Sequence, residues 1–382
     1  MIVVGGGAAG VGAAVGATQA GASCLLVESG PCLGGAATQK NVLTYCGLYT
    51  QAQDCRQAVG GVAEAVLEKL RRLGGVAGPV RLPPPSSHVI AAFDPEAVKL
   101  ALDRITSAAQ VRLLLHTTAV AAERLDDAIS EVTLQDHGGA IQVRARTFVD
   151  ASGEGDLSAF GGASVRYGNR GKAQVGSLGV RFGGTPPNYF SAQEFEEAIQ
   201  RAKQIGTTLL NKEHGLLLKL PISGDSIAYY IDASYDALDS ESLTGAEIAG
   251  REKAWAYLEA ARTIKACEGM YITSTGPQFG TRESRHINSQ HTLTQDDVVQ
   301  GTKFDDVVAL GAWPVEYHSG EDARQFGRTS KVNIPSTFRS GRCAAEIREI
   351  LLHAAGSRTV IPVRAVQSAL WAPVSQQGRP PG

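Results

Sequence analysis

Gly5, Gly7 and Gly10 stand at the spacing G-x-G-x-x-G, and Glu28 follows about twenty residues on. The chemistry open to that set is capture of a pyrophosphate and its ribose. Gly5 permits a tight turn, Gly7 lets bare backbone approach a phosphate, and Gly10 lets a helix pack against the preceding strand. The start of that helix offers unpaired N–H groups and a positive dipole end to an anion. A carboxylate at Glu28 accepts hydrogen bonds from ribose hydroxyls.

A second set lies far along the chain. Arg282 and Arg285, in G-T-R-E-S-R, offer rigid donor forks that clamp a carboxylate or polarise a carbonyl. His318 closes W-P-V-E-Y-H and titrates near neutral pH, so it can move a proton. Glu316 is placed to orient it, with Tyr167 or Tyr317 to line the pocket. An arginine pair in a loop serves equally well as a structural ion pair, and the other histidines suit surface or packing roles. Cys46 and Cys55 flank G-L-Y-T-Q-A-Q-D, where a redox-active pair is an option the pattern does not require. Asp296, Asp297, Asp305 and Asp306 read as helix caps.

The elements that must position these groups follow from periodicity. Met1 to Glu28 reads as strand, small-residue helix and strand, and V-G-G-V-A-E-A-V-L-E-K-L-R-R-L-G-G as an amphipathic helix. The Pro-rich run G-P-V-R-L-P-P-P-S-S-H is expected to interrupt any regular element. Val98, Leu102 and Ile105 recur at helical spacing. Two strand segments follow, the second folding back at a His-Gly-Gly turn and ending in the apolar strand Phe148 to Gly153. Further on, L-L-L-K-L-P-I-S-G-D-S-I-A-Y-Y-I-D-A-S predicts a hairpin, and L-T-G-A-E-I-A-G-R-E-K-A-W-A-Y-L-E-A-A-R-T-I a helix.

Bulk properties exclude several classes. The chain has 382 residues and a formal net charge of −2, room for two domains and no electrostatic reason to bind nucleic acid or an anionic membrane. No apolar stretch reaches the roughly 20 residues of a membrane span. The N-terminal apolar residues are committed to a core strand rather than a signal peptide. Cys24, Cys32, Cys46, Cys55, Cys267 and Cys343 form no C-x-x-C pair, which argues against an iron–sulfur cluster or zinc ribbon in this chain. Reduced thiols fit a cytoplasmic location.

The glycine motif with Glu28, the glycine doublet in S-G-P-C-L-G-G-A-A-T, the run V-D-A-S-G-E-G-D, and the later stretches around Arg282 and His318 together resemble the FAD-dependent oxidoreductase family. That group of flavoproteins is related in fold to the succinate dehydrogenase and fumarate reductase flavoprotein subunits. The resemblance spans roughly residues 1 to 335. It implies an α/β fold: a Rossmann-like FAD-binding domain, a parallel sheet with helices plus a β-meander, carrying an inserted α+β substrate domain. The parts are then 1–165, first part of the FAD domain; 166–330, the insert; and 331–382, a degenerate and partly disordered return. By the same resemblance Gly5, Gly7, Ala9 and Gly10 cradle the pyrophosphate, and Glu28 with neighbouring Ser29 meets the adenosine ribose. Gly34, Gly35 and Thr38 lie near the inner phosphate and ribityl chain, Val120 offers its backbone to adenine, and Ala151, Gly153 and Asp156 sit near the first motif. NAD also uses G-x-G-x-x-G; the doublet and the late D-A-S-G favour FAD, since NAD domains need neither.

After Asn333 the chain departs from the family pattern. The A-G-R, G-S-x-R-V and G-Q-A-A-G signatures are missing, and Pro380 and Pro381 forbid a closing helix. Val363 to Gly382, back-translated in another frame, yields A-R-G-S-V-R-V-V-G-T-G-Q-P-A-G-Q-A-A-G, so a frame slip after about residue 335 is the expected cause. Weakened FAD retention and a poorly ordered tail should follow. The expected function is flavin-dependent C–H/C–O or CH–CH oxidation or reduction of a small oxygenated metabolite, with Arg282, Arg285 and His318 as catalytic candidates and an unspecified electron acceptor. The alternatives are an electron-transfer subunit working with iron–sulfur partners, or an inactive remnant.

Overall fold

Ile2–Val4 is too short and apolar to face water, and as β1 it runs buried through the centre of a five-stranded parallel sheet. The computed structural model describes residues 1–82, 87–186, 190–289, 301–302 and 309–313, with Asp297, His318, 345–347 and 359–362. From β1 the chain enters α1 (Ala8–Gln19) and returns as β2 (Leu25–Val27), parallel to β1 with Val4 opposite Val27. An excursion follows through α2 (Ala36–Gln39), β3 (Thr44–Cys46), α3 (Val62–Arg72), β4 (Val76–Arg81), β5 (Val89–Phe93) and α4 (Pro95–Ala108). Its three strands form a small antiparallel sheet, and the chain then rejoins the parallel sheet as β6 (Arg112–Leu114) beside β2.

The two faces of the parallel sheet are covered differently. On one, Val11 and Val15 of α1, Val66 and Leu70 of α3, and Val98 and Leu102 of α4 share a core with Val3 and Leu26. On the other lies a meander of β7 (Thr118–Leu125), β8 (Ala128–Asp136) and β9 (Gly139–Arg144), whose Val132 and Leu134 meet Ile2, Val4 and Val27. The expected turn sits at His137 and Gly138, where Asp136 Oδ1 accepts from the N–H groups of Gly138 and Gly139. β10 (Thr147–Asp150) then slots in parallel to β1, Val4 opposite Asp150.

The Pro-rich run corrects the sequence expectation. Val76–Arg81 is a strand, with a register shift against β5 between Ala77 and Val80. It is the edge strand of the β3-β5-β4 sheet, and Pro79 is tolerated there because an edge and a bulge leave a missing N–H without consequence. Residues 83–86 lie outside the described residues.

Beyond α5 (Asp156–Phe160) and β11 (Val165–Tyr167), a second core forms around a four-stranded antiparallel sheet. Its order is β13-β14-β12-β15: Leu216–Lys219, Ser226–Ala233, Gly176–Gly183 and Tyr271–Thr275. The expected hairpin is β13–β14. Two helices complete this core, α6 (Ala192–Gln204), begun by a Ser191–Glu194 capping box, and α7 (Ser240–Arg262). β16 (Arg285–Ile287) makes a two-stranded ribbon with β11. β17 (Ala309–Gly311) pairs with β18 (Ala345–Ile347), and β19 (Thr359–Pro362) lies parallel to β10 at the edge of the first sheet. The rest of the tail, where the missing signatures and the frame slip were expected, lies outside the described residues. Among the described residues no helix is long and apolar enough to cross a membrane.

Candidate functional site

At the carboxyl end of β1 the backbone is packed too closely for side chains. Gly5 has φ +101°, and its N–H donates to Val27 O at 2.8 Å. A Cβ there would strike the Ala151 carbonyl and stand 2.8 Å from Ser152 Cα. A Cβ on Gly10 would overlap the Gly5 carbonyl, so α1 lies directly on the turn. Ala9 is buried beside it, and Ala151 is tied to the edge by its N–H on Val4 O at 2.8 Å.

Gly7 caps α1 with no side-chain bond, and the first turn holds no acidic residue. The helix start therefore presents its N–H groups and dipole to an anion from outside the chain. Facing it is the second glycine loop. Gly34 N–H donates to Gly6 O at 2.9 Å, and a Cβ on Gly35 would come within 2.9 Å of Gly7 Cα. The Thr38 hydroxyl is buried on Leu33 O at 2.7 Å, so this side chain shapes the loop. Two facing turns of bare backbone are what a dinucleotide diphosphate requires.

Glu28 follows β2, and its carboxylate bridges both loops: it accepts from Gly6 N–H at 2.6 Å, Gly30 N–H at 2.7 Å and Ser29 Oγ at 3.1 Å. Three donors on about four lone-pair positions leave acceptor capacity for a ribose hydroxyl. The backbone of Glu28 is also held by Leu114 O and by Thr117 N–H, and His116 N–H reaches Gly30 O at 3.2 Å. That His116–Thr117 turn was not singled out from sequence; a polar pair after an apolar run was its only signal. Val120 lies just beyond. Ala119 pairs with Leu134 and Ala121 with Thr133, so Val120 is the bulge residue without a ladder partner.

At the end of β10, Asp150 is buried and closes the next loop by accepting from Ser152 N–H, Ser152 Oγ and Ser158 N–H. Gly153 has φ +91° with open space at its Cβ position. Asp156 is paired with Arg285, Oδ1 to Nη1 at 2.5 Å, and Arg285 also donates to Glu154 O at 3.2 Å. Ser284 bonds the Glu154 carboxylate. The two arginines therefore do not form one fork. Arg285 braces the loop after β10, while Arg282 Nη2 donates to Ser177 Oγ at 3.0 Å.

His318 docks by backbone, its N–H on Gln174 Oε1 at 2.9 Å and its carbonyl accepting from Val175. Gln174 N–H in turn donates to Glu283 Oε2 at 2.9 Å, and Glu283 Oε1 lies 2.6 Å from His286 Nε2. Glu283 thus pairs with His286, a histidine the sequence leaves among the surface and packing set, and this pair is separate from the expected Glu316–His318 one. Glu316, Tyr317, Asp296, Asp305 and Asp306 lie outside the described residues. Arg166, Tyr167, Asn169, Arg170, Gly171 and Glu283 line a cleft of about 540 Å³. The Tyr167 hydroxyl accepts from Ala237 N–H at 3.2 Å, and burial raises its pKa. Cys46 and Cys55 are both thiols, and burial pushes the Cys55 thiol up. Among the described residues no His, Cys, Asp and Glu cluster could hold a metal ion.

The segment 276–285 joins the two units. Gln278 N–H donates to Gln39 O at 2.9 Å at one end, and Arg285 reaches Asp156 at the other. It thus crosses from the end of α2 to the end of β10, along the edge where open parallel sheets bind ligands.

The profile of the family described as FAD dependent oxidoreductase matches residues 1–338. No curated protein matches the chain. Among solved structures, the chain is similar to a geranylgeranyl bacteriochlorophyll reductase-like protein of Thermoplasma acidophilum, at 14% identity and TM-score 0.46, over 75% of this chain and 66% of that one. It is similar to the p-nitrophenol 4-monooxygenase PnpA of Pseudomonas putida DLL-E4, at 12% identity and TM-score 0.46, over 76% and 69%. Aklavinone-11 hydroxylase, solved with FAD and aklavinone, gives 15% identity and TM-score 0.48, over 76% and 55%. The chain spans 54% to 66% of the length of the first solved structures it matches.

Proposed function

The chain belongs to the FAD dependent oxidoreductase family, and on that footing we propose that it is an enzyme oxidising or reducing a small oxygenated metabolite, with substrate held by residues 166–330. FAD is held by Gly5, Gly7, Ala9 and Gly10 at the diphosphate, Glu28 and Ser29 at the ribose, Gly34, Gly35 and Thr38 along the second loop, and Val120 at adenine. Ala151, Gly153 and Asp156 close the edge from β10. Bound flavin supplies acceptance of a hydride or electron pair at its isoalloxazine ring. The protein's part is to orient a C–H bond and stabilise the charge that develops.

One observation carries this reading: Arg282, on the segment that crosses the ligand-binding edge, is exposed there, and among the described residues its guanidinium is held at one corner only. The other N–H groups of its fork are available to a carbonyl or carboxylate. Arg285 supports the same segment through Asp156, and His318 or the Glu283-paired His286 supplies proton transfer beside it. The electron acceptor is a separate small molecule or protein.

A visible absorption spectrum of the purified protein tests the first half. Flavin bands that survive desalting are expected, and a folded protein that stays colourless after incubation with FAD would refute it. Turnover of small hydroxy or oxo acids with an artificial electron acceptor tests the second half. Abolition of turnover by Arg282→Met with flavin retained is the expected result; undiminished turnover would remove Arg282 from the mechanism.

A further inference from the structure

Ser177 and Asp232 are direct register partners on β12 and β14. The Ser177 hydroxyl lies 2.5 Å from Asp232 Oδ1, so its hydrogen goes to the carboxylate and its lone pairs are left to accept. What they accept is the Nη2 hydrogen of Arg282. Behind them, Asp232 Oδ2 receives Lys212 Nζ at 2.9 Å, and the same ammonium donates to Tyr229 O at 3.2 Å. Lys212 is fixed through its backbone as well: its N–H donates to Tyr257 Oη at 3.0 Å, and its carbonyl accepts from that hydroxyl at 2.7 Å. Along Lys212, Asp232, Ser177 and Arg282, each donor meets an acceptor in turn. The first three are 8%, 7% and 7% exposed, whereas Arg282 is open to solvent.

Stability does not account for this arrangement. A buried ion pair roughly cancels its own desolvation, and apolar residues of similar volume commonly serve the fold as well. What the row achieves is direction. The positive charge of Arg282 sits at the exposed end of the row, on a rigid fork. The backbone repeats the tether: Ser177 N–H donates to Gly280 O at 3.2 Å, and Gly280 N–H to Ser177 O at 2.8 Å. Arg282, two residues on, is thus held by both main chain and side chain. A fixed cation of this kind, on the ligand-binding edge, is a seat for an anion.

We infer that Lys212, Asp232 and Ser177 are positioning residues that hold Arg282 as the anchor for a carboxylate of the substrate. The inference rests on the proposed function, in which Arg282 faces substrate, and it narrows the substrate class to small carboxylic acids.

Calorimetric titration of the FAD-loaded protein with oxalate, and with its neutral counterpart oxamide, tests it. Oxalate is expected to bind at least about tenfold more tightly than oxamide, and Arg282→Met to erase that preference. Ser177→Ala, which leaves the Lys212–Asp232 pair intact, should weaken oxalate about tenfold, and Ser177→Thr, which keeps the hydroxyl, should restore it. In the Arg282→Met background, Ser177→Ala should have no further effect. Equal binding of oxalate and oxamide by the parent protein would overturn the assignment, as would a Ser177→Ala loss that persists without Arg282. A protein that retains no flavin counts against the proposed function alone, because the heat of oxalate binding still reports on the anchor.

Discussion

Gly10 and Gly16 lie on the same helix, yet alanine should act on them in opposite directions. Gly16 has nothing within 4 Å of its Cβ position. There alanine gains only helix propensity, about 0.5–1 kcal/mol. Gly10 receives the same gain, but its Cβ would overlap the Gly5 carbonyl oxygen, stand 2.9 Å from the Gly5 carbonyl carbon and 3.3 Å from Ala151 Cβ. The obstacle is backbone at the end of the central strand, which cannot swing aside like a side-chain tip, so α1 must withdraw from the sheet. Overpacking of this kind costs about 1–3 kcal/mol, and the rigidity of the obstacle puts this site in the upper half. Gly10→Ala should therefore be destabilised by about 1–2.5 kcal/mol net, and Gly16→Ala stabilised. Urea unfolding followed by circular dichroism measures the gap between them. The same withdrawal moves the first-turn N–H groups away from the diphosphate, so FAD affinity should fall at least about tenfold in Gly10→Ala and stay unchanged in Gly16→Ala. Two variants of equal stability, or a Gly10→Ala protein that binds FAD as the parent does, would refute the close-packing argument.

Other outcomes follow from single groups. Tyr229→Phe removes a hydroxyl that donates to Asn41 O at 2.7 Å and accepts from Leu43 N–H at 2.8 Å; leaving both groups unpaired should cost about 1–3 kcal/mol in chemical denaturation. Val120→Pro deletes an N–H at a bulge that has no ladder partner, so the fold should keep its melting temperature while FAD binds about tenfold more weakly in a fluorescence titration. Burial pushes the Cys24 thiol up to about 11 and the Tyr235 hydroxyl up to about 12, from ordinary values of 9 and 10. Between those limits these two groups bind fewer protons in the unfolded chain than in the native one, so their contribution to stability is flat below pH 9 and falls from pH 9 to 12. Unfolding midpoints across that range check it, with Cys24→Ala flattening the first part of the fall.

Local steric demands were legible in the sequence; long-range register was not. Gly5 and Gly10 were readable because a close backbone approach admits only one residue type. Val98, Leu102 and Ile105 were readable because three apolar residues at helical spacing have one way to be buried together. The strand at Val76–Arg81 was missed because proline forbids a central strand but not an edge, and no local signal says which strand is the edge. Arg285 and Asp156 were placed in separate roles although they share a 2.5 Å contact, since 129 residues of chain separate them. Ser177, Asp232 and Lys212 drew no notice, because a serine opposite an aspartate exists only once β12 and β14 are in register.

That same dependence on register explains why the site lies where it does. Val4 is opposite both Val27 and Asp150, and Val27 is opposite Leu114. Parallel pairing therefore brings four strand ends to one edge, and the residues that follow them, Gly5, Glu28, Leu115 and Ala151, emerge side by side. No one of these segments makes a dinucleotide site, and a one-residue slip of β2 or β10 would carry Glu28 or Ala151 out of line with Gly5. The unit around the second sheet meets this edge through 276–285 at its two ends, Gln278 on Gln39 and Arg285 on Asp156, with Tyr229 on Asn41 as a further strut. The groups that would select a substrate, Arg282 and the row behind it, are mounted on the other sheet. Substitutions there can alter what is bound without disturbing the glycine turns, whereas any change at Gly5 or Gly10 acts on the cofactor edge whatever the substrate.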